Sequence, residues 1–250
     1  MSAIAICSGK GSPGATFVAV NLAVAMARTH ERVMLVDLDP SGGDIAAYLG
    51  LDPHRGLYPL LRMDRSVPEA TAIAGEAEER FRVLAVGGFP VEASSESRDS
   101  LPDVMKQLRE WDGELVVDLG RVTASTVQIA ADADLVLVVA RPDLVSVLGA
   151  ERAMRALRDG GIAREGLKVI VSGADRRRPA DVAEIATALR ADVLAPLPFD
   201  RRAARRSLVA QTPVAKGRLV KAFGTLASTI APGDRVESPP RSRDLIGVPA

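Results

Sequence analysis

A chain of 250 residues, 47% of them apolar, is long enough to bury a large core as one domain, or as a domain with a small appendage. Its 32 basic residues balance its 32 acidic ones, which excludes a global field that would draw it onto nucleic acid or an anionic membrane, so any such binding needs a local patch. A single cysteine, Cys7, lies in an apolar run and is expected in the core of a reduced protein, away from disulfides and Cys-ligated metals.

In chain order, the apolar run Ala3–Cys7 reads as a strand and is followed by a glycine-rich turn and a helix over Ala15–Arg28. Strands are expected at Val33–Asp37 and Phe81–Val86, a helix at Leu101–Glu110, a strand at Leu115–Asp118 and a helix at Thr123–Ala131. Strands Leu135–Ala140, Lys168–Ser172 and Val193–Leu197 then alternate with helices Val145–Gly160, Ala180–Arg190 and Val214–Ile230. Short β-branched runs alternating with helix-periodic stretches predict an α/β fold, a doubly wound, mainly parallel sheet flanked by helices. Several strands are continuous apolar runs, as expected where helices cover both faces. The stretch Ala231–Ala250, rich in Pro, Arg and Ser, reads as a disordered tail after a domain spanning residues 1–230. No stretch approaches the roughly 20 apolar residues that cross a bilayer. The first residues lack the basic and apolar regions of a signal peptide, so a cytoplasmic protein is expected.

In such sheets ligands bind at the carboxyl ends of the strands, so the residues after each strand carry most information. After the first strand comes Gly9-Lys10-Gly11-Ser12-Pro13-Gly14-Ala15-Thr16, with Phe17 opening the helix. It matches the phosphate-binding pattern G-x-x-x-x-G-K-[ST] at every defined position except the lysine, which is Ala15. The glycines let backbone N–H groups turn inward, and the helix N-terminus favours an anion. Thr16 can hold a magnesium ion. A tight βα turn without a ligand uses glycines in the same way, so the loop alone does not decide. Two further features sit at equivalent places. Asp37 and Asp39 end the second strand, spaced to point to one side of an extended segment, and Asp118 ends another. An aspartate there can also simply cap the next turn.

At these residues the chain resembles the MinD/ParA group of deviant Walker A ATPases, and within it the CpaE/TadZ branch associated with pilus and secretion-system positioning. The resemblance covers about Ala3 to Ile230 and implies the P-loop NTPase fold. Lys10-Gly11-Ser12-Pro13-Gly14-Ala15-Thr16 is similar to the family's K-G-G-x-G-K-[ST], with Lys10 on the signature lysine that reaches a phosphate on the partner subunit of an ATP-sandwich dimer. By the same resemblance Asp37 supports the magnesium site, Asp39 orients the attacking water, Asp118 is the Walker B acid, and the loop around Pro198 and Asp200 lies against the adenine. The resemblance therefore implies ATP and Mg2+ as ligands, a homodimer, a protein partner in an envelope or pilus machine, and a place at the membrane or pole through that partner.

Departures from the family are equally informative. Ala15 replaces the lysine that touches the β and γ phosphates, Ser12 replaces a glycine, Ser172 stands where many members have an adenine-reading Asn, and Gly120-Arg121 replaces the usual switch II residues. A lost charge-assisted hydrogen bond, about 1.5–3 kcal/mol, weakens binding roughly ten- to a hundredfold. Hydrolysis loses on the order of a hundred- to a thousandfold, because the lysine stabilises charge that grows in the transition state. The chain is thus expected to bind ATP better than it hydrolyses it, if it does either, and a pseudo-ATPase is the limiting case. The receiver-like domain that precedes this unit in some CpaE/TadZ proteins is not expected, since the first strand begins at Ala3.

The alternative is an active ParA-like ATPase that holds DNA nonspecifically. Its candidate surface is Arg201, Arg202, Arg205 and Arg206 at helical spacing, with Arg176, Arg177 and Arg178. Arginine supplies 27 of the 32 basic residues, five being lysine, so such runs arise readily and DNA is the less favoured partner. His30 and His54 have no neighbours at zinc-ligand spacing. The final helix carries Leu219, Val220, Phe223, Leu226 and Ile230 in one apolar stripe, expected to pack on the core rather than on a membrane surface.

Overall fold

The computed structural model describes residues 2–11, 14–39, 43–52, 57, 71–74, 81–85, 101–175 and 177–231. At its centre is β1 (Ala3–Ser8), buried at all six positions. Because successive side chains in a strand point to opposite faces, Ala3, Ala5 and Cys7 enter one core and Ile4 and Ile6 the other. Burial pushes the Cys7 thiol up to about 12, as suits an inert core residue.

The remaining elements follow as α1 (Ala15–Ala27), β2 (Val33–Asp37), α2 (Ile45–Leu49), β3 (Ala72–Ala74), β4 (Phe81–Leu84), α3 (Leu101–Leu108), β5 (Glu114–Arg121), α4 (Ala124–Ala130), β6 (Leu135–Ala140), α5 (Leu144–Asp159), β7 (Leu167–Ala174), α6 (Pro179–Leu189), β8 (Val193–Pro198), α7 (Arg201–Ala210) and α8 (Arg218–Ile230). Among the described residues the strands form one sheet in the order β3-β4-β2-β5-β1-β6-β7-β8. Every pairing is parallel except β3 with β4 at the edge. Helices α3, α4, α5 and α6 cover one face, while α1, α2, α7 and α8 contribute to the core on the other.

Helix α1 is buried at eleven of its thirteen positions, which is why its sequence is apolar all round instead of amphipathic. It is packed between the sheet and α8, with the Phe17 and Phe223 rings 5.9 Å apart. Leu219, Phe223 and Leu226 of α8 are buried, so the stripe expected on the last helix faces the core. Asn21, a buried polar residue of α1, donates from Nδ2 to the Phe17 carbonyl (2.8 Å) and accepts the Val214 N–H at Oδ1 (2.8 Å). That second bond explains one departure from expectation. Val214 is held in a connecting segment, Gly217 turns the chain at φ 99°, and the helix begins at Arg218.

Other departures have equally local causes. Strand β5 does not stop at Asp118 but continues to Arg121, with Leu119 fully buried and the Val122 N–H bonded to the Ser8 carbonyl at 2.9 Å. Helix α7 buries only Ala203 and Ser207 and so lacks the apolar period that announces a helix. Helix α2 and strand β3 are too short, at five and three residues, to show one. Val86, His54, Arg176 and the expected tail from residue 232 onward lie outside the described residues. No described helix is long and apolar enough to cross a membrane.

Candidate functional site

The loop after β1 passes beneath α5. A Cβ on Gly9 would stand 1.9 Å from the Gly149 carbonyl oxygen, so only glycine lets the two backbones approach this closely. Ser8 Oγ donates to the Lys10 carbonyl at 2.9 Å and fixes the turn's start. Gly14 adopts φ 98° and ψ 31°, a left-handed conformation that glycine enters without steric cost, and caps α1. The first-turn N–H groups of α1 have no intrahelical partner, and the residues that carry them, Ala15, Thr16 and Phe17, line a cavity at the strand ends.

Beneath that space Asp37 of β2 and Asp118 of β5 are register neighbours, and both are fully buried. Asp37 accepts the N–H groups of Asp39 and Ile45, each at 3.2 Å. Gly43 closes over it, since a Cβ there would lie 1.8 Å from Asp37 Oδ2. Asp118 Oδ1 accepts the Gly120 N–H at 3.0 Å, whereas its Oδ2 is buried with no hydrogen-bond partner among the described residues. Burial, then the Asp118 charge, hold Asp37 well above the usual carboxylate range. Burial pushes Asp118 up to about 6, with the Thr16 hydroxyl and the Gly120 N–H pulling it back.

The cavity above these carboxylates measures about 750 Å³ and is walled by Gly11, Gly14, Ala15, Thr16 and Phe17 of the loop and α1, by Asp39 and Asp44 after β2, by Gly120 and Arg121 at the end of β5, and by Tyr48 and Leu208. Tyr48 and Ser207 share a 2.6 Å hydrogen bond that ties α2 to α7 along the rim. Asp39 packs on Gly120, which has φ 60°; a Cβ at position 120 would be 2.0 Å from Asp39 Oδ2. A smaller cleft of about 280 Å³ between α5 and α6 lacks both a glycine loop and buried carboxylates.

Of the residues expected from the sequence, the structure brings Gly11, Gly14, Ala15, Thr16, Phe17 and Asp39 to the cavity wall and places Asp37 and Asp118 beneath it. Gly9 lies behind the wall against Gly149, and Lys10 is not part of the wall. Ser12 and Pro13 lie outside the described residues. Pro198 and Asp200 do not reach the cavity. Pro198 is buried at the end of β8, and Asp200 caps α7 by accepting the Ala203 N–H at 3.0 Å while pairing with Arg218 at 3.5 Å. Not named as site residues from the sequence were the wall residues Ser8, Asp44, Ala47, Tyr48, Gly120, Arg121 and Leu208; the resemblance of residues 43–51 to the family's switch I region pointed toward Asp44, Ala47 and Tyr48, and the Gly120-Arg121 departure toward Arg121.

A buried carboxylate oxygen without a partner, next to a hydroxyl at a helix N-terminus, suits a hydrated magnesium ion that accompanies a phosphate. Among the described residues no three His, Cys, Asp or Glu side chains form a closed metal cage. The ion would therefore be held by Thr16, by phosphate oxygens and by water oriented from Asp118 and Asp37.

Residues 4–214 match the CobQ/CobB/MinD/ParA nucleotide binding domain. The septum site-determining protein MinD of Thermotoga maritima is 24% identical over 171 residues, covering 68% of this chain and 63% of that protein. The chromosome-partitioning ATPase Soj of Thermus thermophilus is 48% identical over 59 residues, 24% of this chain and 23% of that one. These alignments span less than two thirds of either curated relative. Among solved structures, Pyrococcus horikoshii MinD complexed with Mg-ADP superposes with a TM-score of 0.75 at 20% identity, covering 92% of this chain and 95% of that one, a likeness of fold.

Proposed function

The chain belongs to the CobQ/CobB/MinD/ParA nucleotide-binding family, and from that premise we propose that it is an ATP-binding positioning protein of MinD/ParA type, in the CpaE/TadZ manner, serving a cell-envelope, pilus or secretion assembly. Ala15 makes it a better binder than hydrolase. The observation that carries this reading is the cavity of about 750 Å³ in which the N-terminus of α1 faces a buried carboxylate pair across Thr16, with an uncharged alanine where a lysine would stand.

In this reading the N–H groups of the loop and of α1 hold the phosphates. Bound magnesium supplies charge neutralisation at the phosphates. Thr16 ligates it, Asp118 and Asp37 orient its water, and Asp39 positions the attacking water. Lys10 lies off the wall of its own cavity, which agrees with a role toward the site of a second copy in a homodimer. The contact of Asp39 with Gly120 links the segments after β2 and β5, so a ligand that orders one biases the other and changes the surface offered to a partner.

The test is a titration of the purified protein with a fluorescent ATP analogue, with and without magnesium, beside Ala15→Lys. Micromolar, magnesium-dependent binding by the wild type supports an ATP-responsive switch. Binding by Ala15→Lys alone would mean a scaffold whose nucleotide site is retired, and binding by neither would remove the reading.

A second reading, DNA partitioning, rests on one observation: Arg201, Arg202, Arg205 and Arg206 are all exposed on α7, as a phosphate-tracking surface requires.

A further inference from the structure

We infer that Arg121 supplies, from the end of β5, the phosphate-binding cation that the loop lost at Ala15. The inference rests on the nucleotide-site reading above and names a residue which that reading does not use.

Three charged residues line the cavity among the described residues: Asp39, Asp44 and Arg121. Lys10 is not among them, so Arg121 is the cation that shares the space with Ala15 and Thr16. Its side chain is exposed and its guanidinium makes no hydrogen bond or ion pair with any described residue, unlike Arg32, Arg109, Arg155, Arg178 and Arg218. The backbone that carries it is fixed. Arg121 is the register partner of Ser8, the last residue before the glycine loop, and the next N–H, of Val122, bonds to the Ser8 carbonyl at 2.9 Å.

Gly120 supplies the rest of the argument. Its φ of 60° breaks the regular alternation of β5, and the space a side chain would fill there is taken by the Asp39 carboxylate. The chain thus turns between a buried carboxylate at position 118 and a cavity-lining cation at position 121. A guanidinium on this wall has what phosphate recognition needs: permanent charge, a planar fork of donors and weak hydration. The buried Asp118 Oδ2, which makes no hydrogen bond among the described residues although the Thr16 hydroxyl acts on this carboxylate, marks where magnesium would balance the acids, leaving Arg121 for the phosphate.

Wild type, Arg121→Ala, Arg121→Gln, Ala15→Lys and the double variant Ala15→Lys/Arg121→Ala are titrated with fluorescent ATP and AMP analogues in magnesium. Circular dichroism checks that each is folded, and since Arg121 is exposed no loss of fold is expected. Removing Arg121 weakens ATP-analogue binding roughly ten- to a hundredfold, and AMP-analogue binding far less. Because two cations serving one phosphate are not additive, Ala15→Lys improves Arg121→Ala more than it improves the wild type. If the wild type binds and the Arg121 variants match it, the inference fails while the nucleotide site stands. If the wild type binds no nucleotide, both fall together.

Discussion

Replacing Asp118 by Asn is expected to make the unliganded protein more stable while removing the magnesium-dependent nucleotide binding proposed for it. Asp118 is fully buried, and burial pushes its carboxyl up to about 6 from the ordinary 3.8. A carboxyl with a raised folded-state pKa binds its proton more tightly when folded. Its contribution is therefore most favourable below the unfolded value and is lost as pH rises through about 6. Above that range the ionised, buried group costs, at about 1.4 kcal/mol per pH unit between 3.8 and 6, about 3 kcal/mol. Asn keeps the oxygen that accepts the Gly120 N–H, and its amide can donate to Thr16 or Asp37 in place of the unpartnered Oδ2. Urea unfolding of both proteins at pH 7.5 should show Asp118→Asn more stable by up to about 3 kcal/mol, with unchanged m-values. The advantage should shrink steadily on acidification toward pH 4. A variant less stable than wild type at pH 7.5, or one whose gain does not depend on pH, would refute the reasoning. That result would mean Asp118 is satisfied in the folded protein and that its orphaned oxygen is no sign of a missing cation.

Gly9→Ala places a methyl 1.9 Å from a backbone carbonyl that cannot rotate away, so α5 must shift; a cost on the order of 1–3 kcal/mol or more should lower the melting temperature by several degrees, and an unchanged melt would show the loop to be looser than described. Gly120→Ala combines left-handed strain, about 1–2 kcal/mol, with displacement of Asp39, so stability and any ATP turnover should fall together, and turnover kept at reduced stability would detach Asp39 from catalysis. Reversing Arg201, Arg202, Arg205 and Arg206 to Glu leaves the core untouched, since all four are exposed; unaltered duplex DNA affinity across a salt series would remove the partitioning reading.

The fold was legible because its strands are buried on both faces. The bounds of β2 and β6 follow directly from the apolar runs Val33–Asp37 and Leu135–Ala140. Where burial is one-sided or brief, the signal fades. Helix α7 exposes its arginines and buries only Ala203 and Ser207, and β3 is an edge strand of three residues. At the site, Asp37 and Asp118 were visible as acids closing apolar runs, but nothing in the sequence says that they are neighbours, because strand order is a tertiary property. Arg121 was hidden for a related reason. The apolar run is broken at Asp118, while the strand continues through Leu119 because β1 pairs with it as far as Ser8 and Arg121. The hydrogen bond of Tyr48 with Ser207 joins residues 159 apart, which no local pattern encodes.

Charge balance ties these observations together. With Ala15 in the loop, the described residues of the cavity wall carry two acidic residues and one arginine, beside a buried carboxylate pair. A nucleotide entering without a cation would add several negative charges to this group and meet, among the described residues of the wall, the α1 dipole and Arg121 in compensation. A cation entering alone would lack the phosphate oxygens that complete its coordination. Each ligand therefore supplies what the other needs, and their binding should be strongly coupled, more so than in a loop with its lysine, where part of the phosphate charge is already met. The Ala15→Lys substitution tests this directly: it should raise nucleotide affinity in chelator much more than in magnesium, because lysine and magnesium then compensate the same charge.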